Sequence, residues 1–143
     1  MRISSLIAAF CLFLAPAHAY AHSTKSGDIA VGHIWAYPAQ NGESTVDVFG
    51  PLLNGGDAAD ALTGVTSPAA QNANIVRQIR GQEMVQNFPV PLSPGKPAAF
   101  GPKTQFIRLY GVTTATKAGD RFPITLHFQH TPDATIDVMV QAR

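Results

Sequence analysis

The sequence predicts an all-β fold, a sandwich or barrel of short strands forming one domain. Three observations carry this: Gly (12) and Pro (11) recur along the 143 residues, the runs they separate are rich in Val, Ile, Thr and Phe, and no window sustains a 3.6-residue apolar period. Strands, not helices, fit such punctuation.

The N-terminus reads as an export signal over residues 1–21, leaving a domain over 22–143. Arg2 supplies the positive start, Ile7 to Leu14 an apolar run, and Ala17, Ala19 and Ala21 the small residues of a cleavage region. Two cleavage positions fit, so the mature chain begins at Tyr20 or at His22. The apolar run is too short to span a bilayer, and no other segment approaches the roughly 20 apolar residues a spanning helix needs. Cys11 is the only cysteine; it sits within the signal behind Phe10, which argues against lipid attachment. Disulfides and thiolate chemistry are thereby excluded from the mature chain. Loss of Arg2 takes ten Lys and Arg to nine, level with the nine Asp and Glu. A chain of zero formal charge is not built for nucleic acid or anionic membranes.

Taken in order, Asp28 to Tyr37 reads as one strand, with Ile29, Val31, His33 and Trp35 on one face. Ser44 to Phe49 is the next, followed by turn chemistry at Asn54-Gly55-Gly56. Ala61 to Val65 and Ala73 to Ile79 follow, and Arg80-Gly81-Gln82 turns the chain into Glu83 to Phe88. Pro89 to Pro97 reads as an extended connection. Gln105 to Val112, Phe122 to His130 and Thr135 to Gln141 complete the set. In the last two, Ile124, Leu126 and Phe128 alternate with polar residues, as do Ile136, Val138 and Val140. A turn centred near Pro132 would place His127 opposite Asp137.

Four stretches, in order and spacing, resemble the PCuAC-type (DUF461) periplasmic copper chaperones. They are His22 to Ile29 with His33-Ile-Trp-Ala36, Asn54 to Ala70, Leu92-Ser-Pro-Gly95, and Lys117 to Phe128. The resemblance implies a Greek-key β-sandwich, cupredoxin-like or immunoglobulin-like, located in the periplasm, carrying copper and passing it to a periplasmic or membrane copper protein. It also implies a Cu(I) site made of a His, a Met and a later His-x-Met, because soft ligands suit a soft ion. Those positions fall here on Val76, on Phe106 and Arg108, and on Met84, Gln86 or Asn87. Three of the four ligands are thus missing. The chain reads as a divergent member without the usual Cu(I) ligands.

Other nitrogen donors remain. Cleavage after Ala21 would put His22 at the terminus, where its α-amine and imidazole chelate one ion together. A second imidazole completes a histidine brace, a tetragonal nitrogen set that favours Cu(II) over Cu(I). His33 is the expected partner, with Asp28 as axial or second-shell oxygen. The competing reading buries His33 on the apolar face of its strand. Cleavage after Ala19 gives Tyr20-Ala21-His22, also a terminal chelator. A weaker cluster joins His127 and His130 to Asp137 and Met139, and Met84 stands as a lone thioether beside Arg77, Arg80 and Arg108, which could mark an end of the sandwich that recognises a protein or an anion. No nucleophile elbow, zinc-protease helix, phosphate loop or suitably spaced carboxylate pair is present, so a carrier is expected rather than an enzyme. The rival is a metal-free accessory domain for protein interaction.

Overall fold

The computed structural model of the chain describes residues 23–115 and 117–143. The predicted signal segment, Cys11 and His22 lie outside the described residues. Within them the chain is all-β, with twelve strands: β1 (Thr24–Ser26), β2 (Ile29–Val31), β3 (Trp35–Ala36), β4 (Thr45–Asn54), β5 (Asp60–Thr66), β6 (Asn72–Ile79), β7 (Gln82–Gln86), β8 (Val90–Leu92), β9 (Pro97–Phe100), β10 (Gln105–Tyr110), β11 (Arg121–Phe128) and β12 (Ala134–Val140). Their hydrogen-bonded order is β7-β6-β10-β4-β3-β12-β11-β5-β8. Only β3 with β12 is parallel in that path. Pro91 is tolerated because its strand, β8, ends the path.

β4 joins this ladder to a second one. Its first half pairs with β10 and β3, while its second half pairs with β9 and β2, and β1 adds to β2. Gly50 marks the junction. Its φ of +142° is one that side chains avoid, and a Cβ there would meet the His33 carbonyl oxygen at 2.6 Å and Ile34 Cδ1 at 2.5 Å. Only a glycine lets residues 33 and 34 cross so close.

The predicted strand Asp28 to Tyr37 is corrected by that crossing. It breaks into β2 and β3, and the buried residues are Ile29, Val31, Ile34 and Ala36, a one-residue change of phase. The Gly32 amide still donates to the Pro51 carbonyl at 3.0 Å, so the backbone stays paired while the side chains change face. The connection Pro89 to Pro97 is also corrected, since it carries β8 and opens β9. The Arg80-Gly81 turn is as expected. Both residues have positive φ, 53° and 79°, which matches the right-handed twist of the β6–β7 hairpin.

The core lies between the inward faces. Leu52, Leu62, Leu92, Leu109, Ile124 and Leu126 are each almost wholly buried. Each such side chain contributes about 1.5–3 kcal/mol of burial. Replacement of Gly50 by Ala is expected to lower stability by about 2 kcal/mol or more, through backbone strain and overlap with Ile34. Urea unfolding checks this; an unchanged midpoint would mean the crossing is loose.

Candidate functional site

His33 stands at the break between the two ladders. It is exposed, which removes the reading of a buried histidine, and its Nε2 lies 2.8 Å from the side-chain nitrogen of Gln141, just past β12. Asp28 occupies the other end of β2, in the Gly27-Asp28 turn. Its carbonyl accepts from the Gly55 amide at 2.9 Å, and its carboxylate covers Gly56 so closely that a Cβ there would come within 2.7 Å. Asp28 therefore closes the Asn54-Gly55-Gly56 turn, and β2 separates it from His33. Among the described residues no three His, Cys, Asp or Glu side chains form a group that could hold a metal ion.

The positions aligned with a Cu(I) site do come together, on the outer face of β6, β10 and β4. Val76 is opposite both Phe106 and Val85, and Arg108 is opposite Asn74 and Asp47. Val76, Phe106 and Phe49 are buried in a small cluster of their own, covered by Trp35 and Tyr37. The rings pack edge to face or tilted, Trp35 and Phe49 with centroids 4.7 Å apart, Trp35 and Tyr37 5.1 Å. Met84 is turned to the opposite side of β7, facing Arg77.

Arg108 is fully engaged. Its guanidinium forks onto Asp47 at 2.7 and 2.9 Å and onto Glu83 at 2.7 and 3.3 Å. Hydrogen bonding from Asp47 and then Glu83 outweighs partial burial and holds the guanidinium charged far above neutral pH. In return, the bond from Arg108 pulls the Glu83 carboxyl below its ordinary range. Two carboxylates around one guanidinium leave a net charge of minus one. An anion finds the Arg108 guanidinium already claimed, and a cation meets Arg108 itself. Beside this triad is a cleft of about 370 Å³ floored by Tyr37, Phe49 and Phe106. Arg143 reaches into it, its guanidinium 5.0 Å from the Tyr37 ring centroid.

The cluster expected around His127 is corrected. β11 pairs with β12 as Thr125 with Thr135 and Pro123 with Asp137, so the turn centres near His130 and His127 does not face Asp137. Its Nδ1 instead contacts Asp133 Oδ2 at 2.9 Å and its Nε2 contacts Thr66 Oγ1 at 2.8 Å. Met139 is opposite Arg121, at the far end of the hairpin. The turn centre lies two residues before the expected one, which moves the partner of Asp137 four residues, from His127 to Pro123.

Asp60 sets that register, and sequence reasoning missed it. It is buried, and its oxygens accept from the amides of Ala61 (2.8 Å), His130 (3.0 Å) and Thr131 (3.1 Å) and from the Thr131 hydroxyl (2.6 Å). A lone acid in the run Ala58-Ala59-Asp60-Ala61-Leu62 was the available signal. Nearby, the Ser26 hydroxyl donates to the Pro132 carbonyl at 2.7 Å, tying β1 to the same turn. Asn54, likewise buried, donates to the carbonyls of Ala58 and Leu92 and accepts from the Gly56 amide. The stretches that carried the resemblance thus include these turns and caps as well as β5 and β11.

The arrangement is that of a cupredoxin-like β domain with an imidazole exposed at one end and an aromatic cluster on its outer face. More specifically, the chain belongs to the LpqE-like family, described as "Putative lipoprotein LpqE-like", which matches residues 29–140. Among solved structures it is similar to the copper-bound PCuAC domain from PmoF2 (TM-score 0.75, 23% identity, 85% of this chain and 99% of that one). It is similar too to the apo PCuAC domain from PmoF1 (TM-score 0.74, 23% identity, 85% and 100%). A third is apo-DR1885 from Deinococcus radiodurans, in solution (TM-score 0.64, 16% identity, 100% and 97%). The comparison with curated proteins finds no match. Among the described residues no helix is long and apolar enough to cross a membrane.

Burial alone would push the Asp60 carboxyl up, but the four hydrogen bonds prevail and hold it below its ordinary 3.8. A group depressed in the folded state contributes stability above its unfolded value, and that contribution is lost as pH falls through the folded one. Asp60→Asn is expected to cost about 2 kcal/mol or more at pH 7, because an amide turns donors toward donors. The gap from wild type should narrow as pH falls below about 4. Urea titrations across that range check it; a gap independent of pH would assign the loss to packing.

Proposed function

We propose that the chain is a periplasmic copper carrier of the PCuAC type, without the Cu(I) ligands of that type, which holds Cu(II) at its processed N-terminus. The α-amine and imidazole of His22 and the imidazole of His33 form the nitrogen set. The copper passes to a periplasmic or membrane copper protein.

The observation that carries this reading is the register of β1 on β2. Thr24 pairs with Val31, Lys25 with Ala30 and Ser26 with Ile29. Thr24, two residues after His22 in the sequence, pairs with Val31, two residues before His33. A brace needs both imidazoles on one ion, with nitrogen-metal bonds near 2 Å. His33 is exposed and lies against the Gln141 side chain, whose amide oxygen, once turned to the ring, accepts from Nε2–H and leaves Nδ1 for a metal. Asp28, occupied at the far turn, takes no part. Loss of the Cu(I) site is supported by what replaces it, since Val76 and Phe106 offer no donor atom and Arg108 offers only bound N–H groups.

A second reading, a metal-free accessory domain, is favoured by one feature. The aromatic cleft beside the Asp47–Arg108–Glu83 triad is a surface that a partner could contact without any metal.

Cu(II) titration of the mature protein with its authentic terminus separates the two. The carrier reading expects about one Cu(II) with nitrogen hyperfine structure in electron paramagnetic resonance. Gln141→Ala should weaken it by about tenfold and His33→Ala by more than about 100-fold. One extra residue ahead of His22 should remove it as well. Absence of binding below micromolar leaves the metal-free reading standing.

A further inference from the structure

The β6–β7 hairpin carries three of the four large apolar side chains that stand exposed among the described residues: Ile79 (43%), Met84 (50%) and Val85 (59%). It also ends the strand order, because β7 pairs with β6 alone. We propose that the free edge of β7 is an interface for a second copy of this chain, with the two β7 strands antiparallel about a two-fold axis at Met84.

The backbone sets the register. Arg80-Gly81 is a two-residue loop, so Ile79 and Gln82 close it as a hydrogen-bonded pair and the next pair, Gln78 with Glu83, is not bonded across. The Gln78 amide confirms this by donating the other way, to the Thr104 carbonyl at 2.7 Å. Alternation then turns the N–H and C=O of Glu83 and Val85 outward from the sheet. An antiparallel pairing centred on Met84 puts Glu83 of one copy against Val85 of the other, twice, which satisfies all four outward groups of each copy.

The side chains agree with that register. Gln82 falls opposite Gln86, Met84 opposite Met84, and no charge meets a like charge. Glu83, the only charged residue of β7, is already held by Arg108, so the approaching copy finds no bare carboxylate. Natural edges are usually guarded by lysine, proline or extreme shortness. The opposite edge, β8, has three residues including Pro91, whereas β7 has five and neither lysine nor proline. Ile79 and Met84 share the face of Arg77, while Val85 lies on the other, so pairing covers apolar surface on both sides of the hairpin.

Sedimentation equilibrium on the mature protein tests this at concentrations up to about 1 mM. The wild type should shift from the mass of one chain toward that of two. Met84→Lys puts two ammonium groups face to face, and Val85→Pro removes an outward N–H that β6 does not use; both should stay monomeric. Thermal melts of the two in dilute solution should match the wild type, which excludes misfolding. Mixing Met84→Lys with Met84→Glu should restore the dimer, because opposite charges then meet at the axis. A wild type that remains monomeric throughout overturns the proposal, as does a dimer indifferent to Met84→Lys. A mixture that stays monomeric overturns the register at Met84.

Discussion

The structure turns on one steric permission, the passage of residues 32–34 across Gly50. β4 serves two ladders, and the chain entering from β2 must leave the second ladder and join the first beside it. It does so by losing one step of alternation, so that Ile34 and Ala36 take the inward places that an unbroken strand would give to His33 and Trp35. The same slip has two consequences. It exposes His33 at one end of the sandwich, and it turns Trp35 and Tyr37 outward, where they cover Phe49 and Phe106.

Those consequences divide the molecule into two chemically distinct regions. On the outer face, aromatic packing and a guanidinium held by two carboxylates use up the polar and apolar valences together. A cation placed there would have to displace Arg108 from both Asp47 and Glu83. At the His33 end an imidazole is exposed to solvent, beside the neutral amide of Gln141. The Cu(II) site proposed above draws on the second region, since Cu(II) favours nitrogen in tetragonal sets.

Much of the fold was legible because its determinants are local. Period-two alternation identified the β11 and β12 strands, and Arg80-Gly81 identified the hairpin turn, since both depend on neighbours in sequence. The break at Gly32 to Ile34 was not legible, because it depends on a glycine some sixteen to eighteen positions away whose need for an absent Cβ appears only when the two segments cross. The register of β11 on β12 failed for a similar reason. Turn composition around Pro132 suggested a centre two residues too late, whereas a carboxylate on β5, Asp60, fixes it by gathering the amides of His130 and Thr131. For the site, Val76, Phe106 and Arg108 at the positions aligned with His and Met could be read from the sequence. That Arg108 would be neutralised from both sides, by acids 61 and 25 positions away, could not.

The central proposal is that His22 and His33 hold one Cu(II) together. Amide nuclear magnetic resonance of the mature protein with substoichiometric Cu(II) tests it most directly, because the paramagnetic ion broadens only what lies near it. The expected result is broadening confined to Ser23, Gly32 to Ile34 and Gln141. Broadening centred on His127, on the outer face around Arg108, or nowhere at all would contradict it.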